Sequence, residues 1–138
     1  MRVLAVDFGE KRIGIAVGES DPGAASPRAP LEPTGALDGD AGNIARLARE
    51  EQADAVVVGI PVNPDGSGRM ERVCRSLCER LAALGLAVYA VDESWSSLES
   101  AERLASRGVK SRRRKRLLDG ESAVTIVERF FRENETGA

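Results

Sequence analysis

Three observations predict an α/β protein built on a five-stranded mixed sheet flanked by helices. Two apolar stretches, residues 2–7 and 11–18, flank a short turn that contains Gly9, and they predict an opening β-hairpin. Beyond it, apolar runs at 54–59 and 86–91 alternate with segments of helical periodicity. Such alternation is typical of parallel strands joined by helices, so we expect the sheet to be parallel except near the hairpin.

The central strands are predicted from apolar runs without alternation. Val3 to Val6 is continuously apolar, which is typical of a strand covered on both faces, and 54–59 has the same character. Between 19 and 42 the composition shifts to Gly, Pro, Ala and Asp. We expect a partly mobile loop there, with a short edge strand near 29–34.

Apolar spacing predicts helices at about 41–52, 68–84 and 119–133. Ser96, followed by Glu99 three residues later, forms a capping box for one more helix. The helix at 68–84 places two cysteines on its core side and ends at a glycine. Those residues are Cys74, Cys78 and Gly85.

Composition limits the chemistry that the chain can perform. A length of 138 residues fits a single domain, 1–138, and no apolar run approaches the roughly 18 residues that span a bilayer. No signal-peptide pattern opens the chain, so we expect a cytoplasmic protein without a membrane partner. Because histidine is absent, any catalysis must depend on carboxylates, Lys, Ser or Tyr, and the cysteines lack the usual partners for zinc.

A basic segment stands out from an otherwise acidic chain. Residues 107–116, RGVKSRRRKR, hold seven of the 20 cations and none of the 22 acids, and they are predicted to form a loop. A local concentration of positive charge on an acidic body indicates a polyanionic partner contacted at one place.

Three acids occupy positions that ordinary surface carboxylates do not. Asp7 and Glu93 follow apolar strands, and Asp119 lies on the inward stripe at the start of the last helix. Carboxylates that converge repel one another unless a cation lies between them. Mg²⁺ or Mn²⁺ would resolve the repulsion, and a carboxylate cluster with open coordination sites is how two-metal phosphodiester hydrolysis is built.

Each of these acids also has a simpler interpretation. Asp7 could only initiate the turn, Glu93 could be a loop charge, and Asp119 could only cap its helix. One shared site explains the positions of all three acids more simply than three separate coincidences.

Side chains near the three acids are candidates for contact with a phosphate backbone, which supplies affinity and positioning rather than sequence specificity. Trp95 is a plausible stacking platform, although large rings are usually partly buried. The predicted nucleic-acid contacts are Lys11, Arg12, Trp95, Ser96, Lys110, Arg112, Arg113, Arg114 and Lys115, with Gly9, Asn63 and Asp92 in supporting positions.

Four segments in order, DFGEKRIGIAVG, VVVGIPVNPDGSG, VDESWSSLESAE and LLDGESAVTIVERFF, closely resemble the signature blocks of the YqgF/RuvX family. The resemblance implies a ribonuclease H-like fold related to the RuvC-type Holliday junction resolvases, with Mg²⁺ or Mn²⁺ at a carboxylate triad. Matched by position, that triad is Asp7, Glu93 and Asp119. The resemblance further implies a nuclease that matures the 5′ end of pre-16S rRNA.

The leading hypothesis is therefore a metal-dependent nuclease acting on structured nucleic acid, with RNA favoured by the resemblance. A Holliday junction resolvase is the second hypothesis and requires a homodimer, since two strands must be cut; the nuclease itself could be a monomer or a homodimer. A catalytically weak RNA-binding factor in ribosome assembly is the third. An actin-like ATPase would use the turn after Asp7 for phosphate, but it needs two domains, and 138 residues do not supply them.

Overall fold

A computed structural model of the protein describes residues 1–21, 23–61, 68–92 and 111–135, with side chains from 122 to 134 in the last range. The strands are β1 (Arg2–Phe8), β2 (Ile13–Glu19), β3 (Ala24–Leu31), β4 (Ala55–Ile60) and β5 (Val88–Asp92). The helices in these ranges are α1 (Leu37–Glu50), α2 (Arg69–Ala83) and α3 (Ser111–Glu135). In this part of the chain no helix is both long and apolar enough to cross a bilayer.

The five strands form one mixed sheet, as the sequence predicts, and their order is β3-β2-β1-β4-β5. The hairpin pairs β1 with β2 in antiparallel register, from Arg2 opposite Glu19 to Phe8 opposite Ile13. β4 runs parallel to β1, and β5 runs parallel to β4. The carboxyl ends of β1, β4 and β5 therefore lie along the same edge of the sheet.

Two layers of apolar side chains cover the two faces of the sheet. Leu4 and Val6 of β1 belong to the core beneath α1 and α2, whereas Val3 and Ala5 belong to the core beneath α3. All four are fully buried, which explains why the run is apolar without alternation. Alternation along β1 therefore assigns odd-numbered residues to the α3 face and even-numbered residues to the α1/α2 face.

The last helix lies close against the sheet because β2 carries a glycine beneath it. A Cβ atom built on Gly18 would collide with Cγ1 of Val127, so only glycine permits this approach. Gly18 pairs with Val3, at the amino end of β1. This contact fixes where the middle of α3 crosses the sheet.

Helix α2 confirms the interpretation of the cysteines as core residues. Cys74 is buried and Cys78 is half-buried, and burial raises the pKa of the Cys78 thiol. The helix gives way at Gly85, whose φ of +89° is a left-handed conformation that glycine adopts without strain.

Two segments differ from their predicted form. The edge strand is real but spans Ala24–Leu31, earlier than 29–34, and prolines are tolerated there because an outer strand need not donate every amide. Helix α1 already begins at Leu37, inside the predicted loop.

The basic segment differs more clearly from its predicted conformation. The sequence predicts a loop over 107–116, but α3 begins at Ser111, so the backbone from 111 to 116 is helical. Arginine, lysine and leucine are good helix formers, and a run of like charge does not by itself break a helix. The predicted capping-box helix at Ser96 lies outside the described residues.

Ion pairs tie the amino edge of the sheet to the end of α1. Arg2 Nη2 lies 2.9 Å from Glu51 Oε2, and Arg28 Nε lies 3.1 Å from Glu51 Oε1. Arg2 also pairs with Glu19, and its amide donates to Asp54 Oδ2 over 2.8 Å. Hydrogen bonds from Arg28 and Arg2 lower the pKa of Glu51 from its ordinary 4.5.

Candidate active site

Asp7 is the half-buried, next-to-last residue of the central strand. Its odd number places it on the face that α3 covers, in line with Val3 and Ala5. Across the antiparallel ladder it pairs with Gly14. On the other side, Val6 pairs with Val58, and the next residue of β4 is Gly59. Both neighbouring strands thus carry a glycine, without a side chain, beside Asp7.

The turn after Asp7 depends on the glycine at its start. The Gly9 amide donates a 2.9 Å hydrogen bond to the Arg12 carbonyl, and a Cβ on Gly9 would lie 2.7 Å from that oxygen. The tight turn leaves Lys11 exposed and Arg12 half-buried at the same edge of the sheet as Asp7. Their predicted contact with phosphate stays a prediction.

The end of β5 lies on the far side of β4 from Asp7. Asp92, the last residue of β5, pairs with Ile60 and is exposed. Arg129 of α3 donates a hydrogen bond from Nη1 to the Asp92 carbonyl, which ties α3 to this end of β5. Glu93 follows Asp92 directly in the sequence but lies outside the described residues. So do Asn63, Trp95, Ser96 and Lys110.

The backbone of α3 contains the remaining predicted site residues. Its buried residues are 122–127 and Phe130, and the stripe Ala123, Ile126, Val127 and Phe130 packs on the sheet. Asp119 lies four residues, or about one turn, before Ala123 and therefore continues this stripe along the helix. The side chains at 111–121 lie outside the part of the chain that the structure describes. The predicted roles of Asp119, Arg112, Arg113, Arg114 and Lys115 therefore remain predictions.

A divalent metal suits the donor chemistry at this edge. Carboxylate oxygens are the ligands that Mg²⁺ and Mn²⁺ prefer, and the glycines on the strands next to Asp7 add no side chain beside it. Among the described residues, no group of three or more acids or cysteines is placed to hold a metal. Only Asp7 of the three predicted ligands has a described side chain, so the triad remains a prediction.

A cavity that no sequence pattern predicts lies at the same edge but on the opposite face of the sheet. It has a volume of about 400 Å³ and lies where Phe8, the segment before α1, and the first turns of α1 and α2 meet. Asp40 and Arg69 contribute its charged groups together with Glu10. No local pattern marks these residues, since they are up to 59 positions apart and converge only in the folded chain.

The strand order and the flanking helices define a ribonuclease H-like fold. Over 99% of this chain, the structure resembles Thermus thermophilus RuvC, both in complex with a Holliday junction substrate and as RuvC alone. The TM-scores are 0.55 and 0.54, the sequence identities are 16% and 15%, and the matches cover 97% and 98% of those chains. At this identity the likeness concerns the fold alone.

Sequence comparison resolves the family. A family model described as "RuvX: Holliday junction resolvase" matches residues 1–133, and the chain belongs to this family. A protein of Anaeromyxobacter dehalogenans named "Putative pre-16S rRNA nuclease" is 38% identical over 93% of this chain and 94% of its own length. A relative of the same name from Chromobacterium violaceum is 38% identical over 96% of this chain and 98% of its own length.

Proposed function

We propose that this chain is a nuclease dependent on Mg²⁺ or Mn²⁺ that hydrolyses phosphodiester bonds in structured RNA. Asp7, Glu93 and Asp119 are the proposed metal ligands and catalytic residues. The observation that carries the proposal is the position of Asp7 at the carboxyl end of the central strand, with a glycine on each side and α3 over the same face.

Register along the sheet supports the participation of Glu93. Val6 pairs with Val58, and Val58 pairs with Ala90, so Asp7 is level with Val91, and Glu93 follows Val91 by two residues in the sequence. Two strand spacings separate β1 from β5, about 10 Å, and the strand between them carries Gly59 at the relevant position. Aspartate and glutamate side chains that extend toward each other across a glycine can share a metal site.

Distances along α3 support the participation of Asp119. Val127 lies over Gly18, which pairs with Val3. Asp119 precedes Val127 by eight residues, a rise of about 12 Å along the helix. Asp7 follows Val3 by four residues, about 13 Å along the strand. A helix that runs antiparallel to β1 from this contact brings position 119 level with Asp7.

The chain's own residues then have separate tasks. When bound, the metal would lower the pKa of a water molecule and neutralise charge on the phosphate oxygens. Asp7, Glu93 and Asp119 hold it, while Lys11 and Arg12 in the first turn contact the phosphate backbone. The helical cations Arg112–Lys115, with Lys110, Trp95 and Ser96, extend this surface and orient the strand.

The proposed substrate is pre-16S rRNA, because the relatives from Anaeromyxobacter dehalogenans and Chromobacterium violaceum are named for it, and the motif resemblance points to its 5′ end. The proposed setting is the cytoplasm, where ribosomes are assembled. A Holliday junction is the second candidate substrate, favoured by the description of the matching family. Cutting a junction symmetrically would require a homodimer, whereas trimming of RNA can be performed by a monomer.

Cleavage assays separate these possibilities. Full-length protein with Mg²⁺, Mn²⁺ or EDTA is incubated with a 5′-extended pre-16S fragment, a matched single strand and a four-way DNA junction. We expect metal-dependent cleavage of the ribosomal fragment, lost in Asp7→Asn and retained in the control Asp21→Asn, an exposed acid near the opposite edge. Full activity of Asp7→Asn, or activity in EDTA, would contradict the proposal. Preferred cleavage of the junction by a dimer would favour the second substrate.

A further inference from the structure

The cavity on the α1/α2 face combines an apolar wall with converging polar groups. Its volume of about 400 Å³ falls within the range of about 300–1,000 Å³ that is typical of small-molecule sites. Apolar lining is supplied by Phe8, Leu37, Met70 and Val73, and charged lining by Glu10, Asp40 and Arg69. A site of this composition suits a flat, partly apolar ligand that carries a charge at one end.

Asp40 is the most unusual residue in the wall. It is a carboxylate with 2% exposure. Thr34 donates to its Oδ1 from the backbone amide over 2.7 Å and from Oγ1 over 3.0 Å. Within the described part of the chain, no hydrogen bond reaches Oδ2. Thr34 takes up Oδ1, so Oδ2 is the carboxylate oxygen left to accept an N–H group of a ligand in the cavity.

Arg69 supplies a cation at the rim of the cavity. Its guanidinium is 80% exposed and lies 3.7 Å from Glu10 of the β1–β2 turn. An exposed ion pair of this kind contributes little, so a phosphate can displace the Glu10 carboxylate. Arginine binds phosphate oxygens through paired N–H groups, so Arg69 is the group at the rim that suits a phosphate.

We propose that this cavity binds one unpaired nucleotide of the substrate strand. The base packs against Phe8 and Met70, an exocyclic amino group donates to Asp40 Oδ2, and a phosphate binds Arg69. This inference rests on the proposed function, which makes the ligand part of a nucleic acid. It adds a base preference, because adenine, cytosine and guanine carry an exocyclic amino group and uracil does not.

The position of the cavity relative to Asp7 fits this assignment. Asp7 and Phe8 are consecutive, with Cα atoms about 3.8 Å apart, and alternation places their side chains on opposite faces of β1. A strand whose scissile phosphate lies at Asp7 therefore passes the edge of the sheet, and an adjacent nucleotide enters the cavity. An unpaired base can do this, whereas a base held in a duplex cannot.

Mononucleotide binding tests the cavity without cleavage. Metal-free, full-length Asp7→Asn protein is titrated with AMP, CMP and UMP, and amide NMR shifts are followed. We expect shifts around Leu37 and Arg69, with AMP and CMP binding more tightly than UMP. Arg69→Gln should weaken all three about tenfold through loss of the charged contact. The matched control Arg46→Gln, an exposed arginine of α1, should leave affinity unchanged.

Two further variants test the base contact and the phosphate contact separately. Asp40→Asn keeps an oxygen for Thr34 but replaces the Oδ2 acceptor with an NH₂ donor, so the preference should shift toward UMP, whose base offers carbonyl oxygens. Glu10→Gln should tighten binding, since it releases Arg69.

The inference is overturned if no mononucleotide binds at millimolar concentration, if the shifts map elsewhere, or if Arg69→Gln and Asp40→Asn both bind as the parent does. Nucleotide binding in a protein that cleaves no substrate would contradict the proposed function and leave the cavity assignment standing.

Discussion

Asp7 lies directly opposite Gly14 in the antiparallel ladder between β1 and β2. Residues paired in this way direct their side chains to the same face, with Cβ atoms typically about 4.5–5.5 Å apart. A glycine at this position means that no neighbouring side chain occupies the space beside the carboxylate on β2. In the proposed active site, the metal and the scissile phosphate would lie on this side of Asp7.

Filling this space should abolish activity with little loss of binding. In Gly14→Val, the new side chain stands about 5 Å from Asp7 Cβ, and we expect cleavage to fall at least tenfold. Single-turnover cleavage and filter binding of the same RNA measure the two effects. Gly42→Val is the matched control, because Gly42 is exposed on α1 with nothing within 4 Å of a built Cβ. Wild-type cleavage by folded Gly14→Val would show that the space is not used.

At the contact between α3 and the sheet, substitutions of Gly18 and Val127 should have coupled effects on stability. Gly18→Ala places a methyl group against Val127 and should destabilise the protein by about 1–3 kcal/mol. Val127→Ala removes the opposing atoms, so the double variant should lose less stability than the sum of the two single variants. Urea denaturation measures all four proteins of the cycle. Additive losses would mean that α3 does not approach Gly18 this closely.

The ion pairs at Glu51 should make stability depend on pH in the acid range. Hydrogen bonds from Arg28 and Arg2 lower the pKa of Glu51 from 4.5, so the native state favours its ionised form. The contribution is fully present above pH 4.5 and is lost as the pH falls through the lower native pKa. Thermal melts of wild type and Glu51→Gln should therefore differ most at neutral pH and converge in acid.

A neighbouring glutamate provides the comparison for this effect. Glu50 is 63% exposed and lies 4.0 Å from Arg46, so Glu50→Gln should melt like the wild type at every pH. If Glu51→Gln differed from wild type by the same amount at pH 3 and pH 7, the ionised carboxylate would not be the source of the stabilisation.

The cations at the start of α3 should contribute to the salt dependence of RNA binding. Replacing Arg112, Arg113 and Arg114 with Gln should weaken RNA binding and reduce the slope of log affinity against log salt by about 0.7–0.9 for each phosphate that the variant no longer neutralises. Fluorescence anisotropy on catalytically inactive Asp7→Asn protein measures the slope. Arg46→Gln should not change it. An unchanged slope in the triple variant would remove these arginines from the interface.

The sheet was predictable because the composition of its strands indicates which of them are buried on both faces. The unbroken apolar run from Val3 to Val6 requires burial on both faces, and the same holds for Ala55 to Val58. The hairpin, the mixed pairing and the apolar stripe of α3 follow from local patterns of this kind. Asp7 was identifiable for the same reason, since a carboxylate at the end of such a run is an exception to it.

Features that no local sequence pattern marks were not predictable. The start of α1 at Leu37 depends on Asp40, which accepts from Thr34 outside the helix. The cavity forms where Phe8, Asp40 and Arg69 converge, and no pattern in their local sequence predicts this convergence. The helical start of α3 at Ser111 escapes sequence reasoning because seven nearby cations are more typical of a solvated loop.

Binding of Mn²⁺ to the free protein tests the central claim most directly. Calorimetric titration of wild type, Asp7→Asn, Glu93→Gln and Asp119→Asn should show that each substitution lowers Mn²⁺ affinity at least tenfold, since each removes a charged ligand. Asp21→Asn, which changes an exposed acid near the opposite edge, should bind Mn²⁺ like the wild type. Unchanged affinity in Asp7→Asn would contradict the assignment of Asp7 as a metal ligand and, with it, the proposed active site.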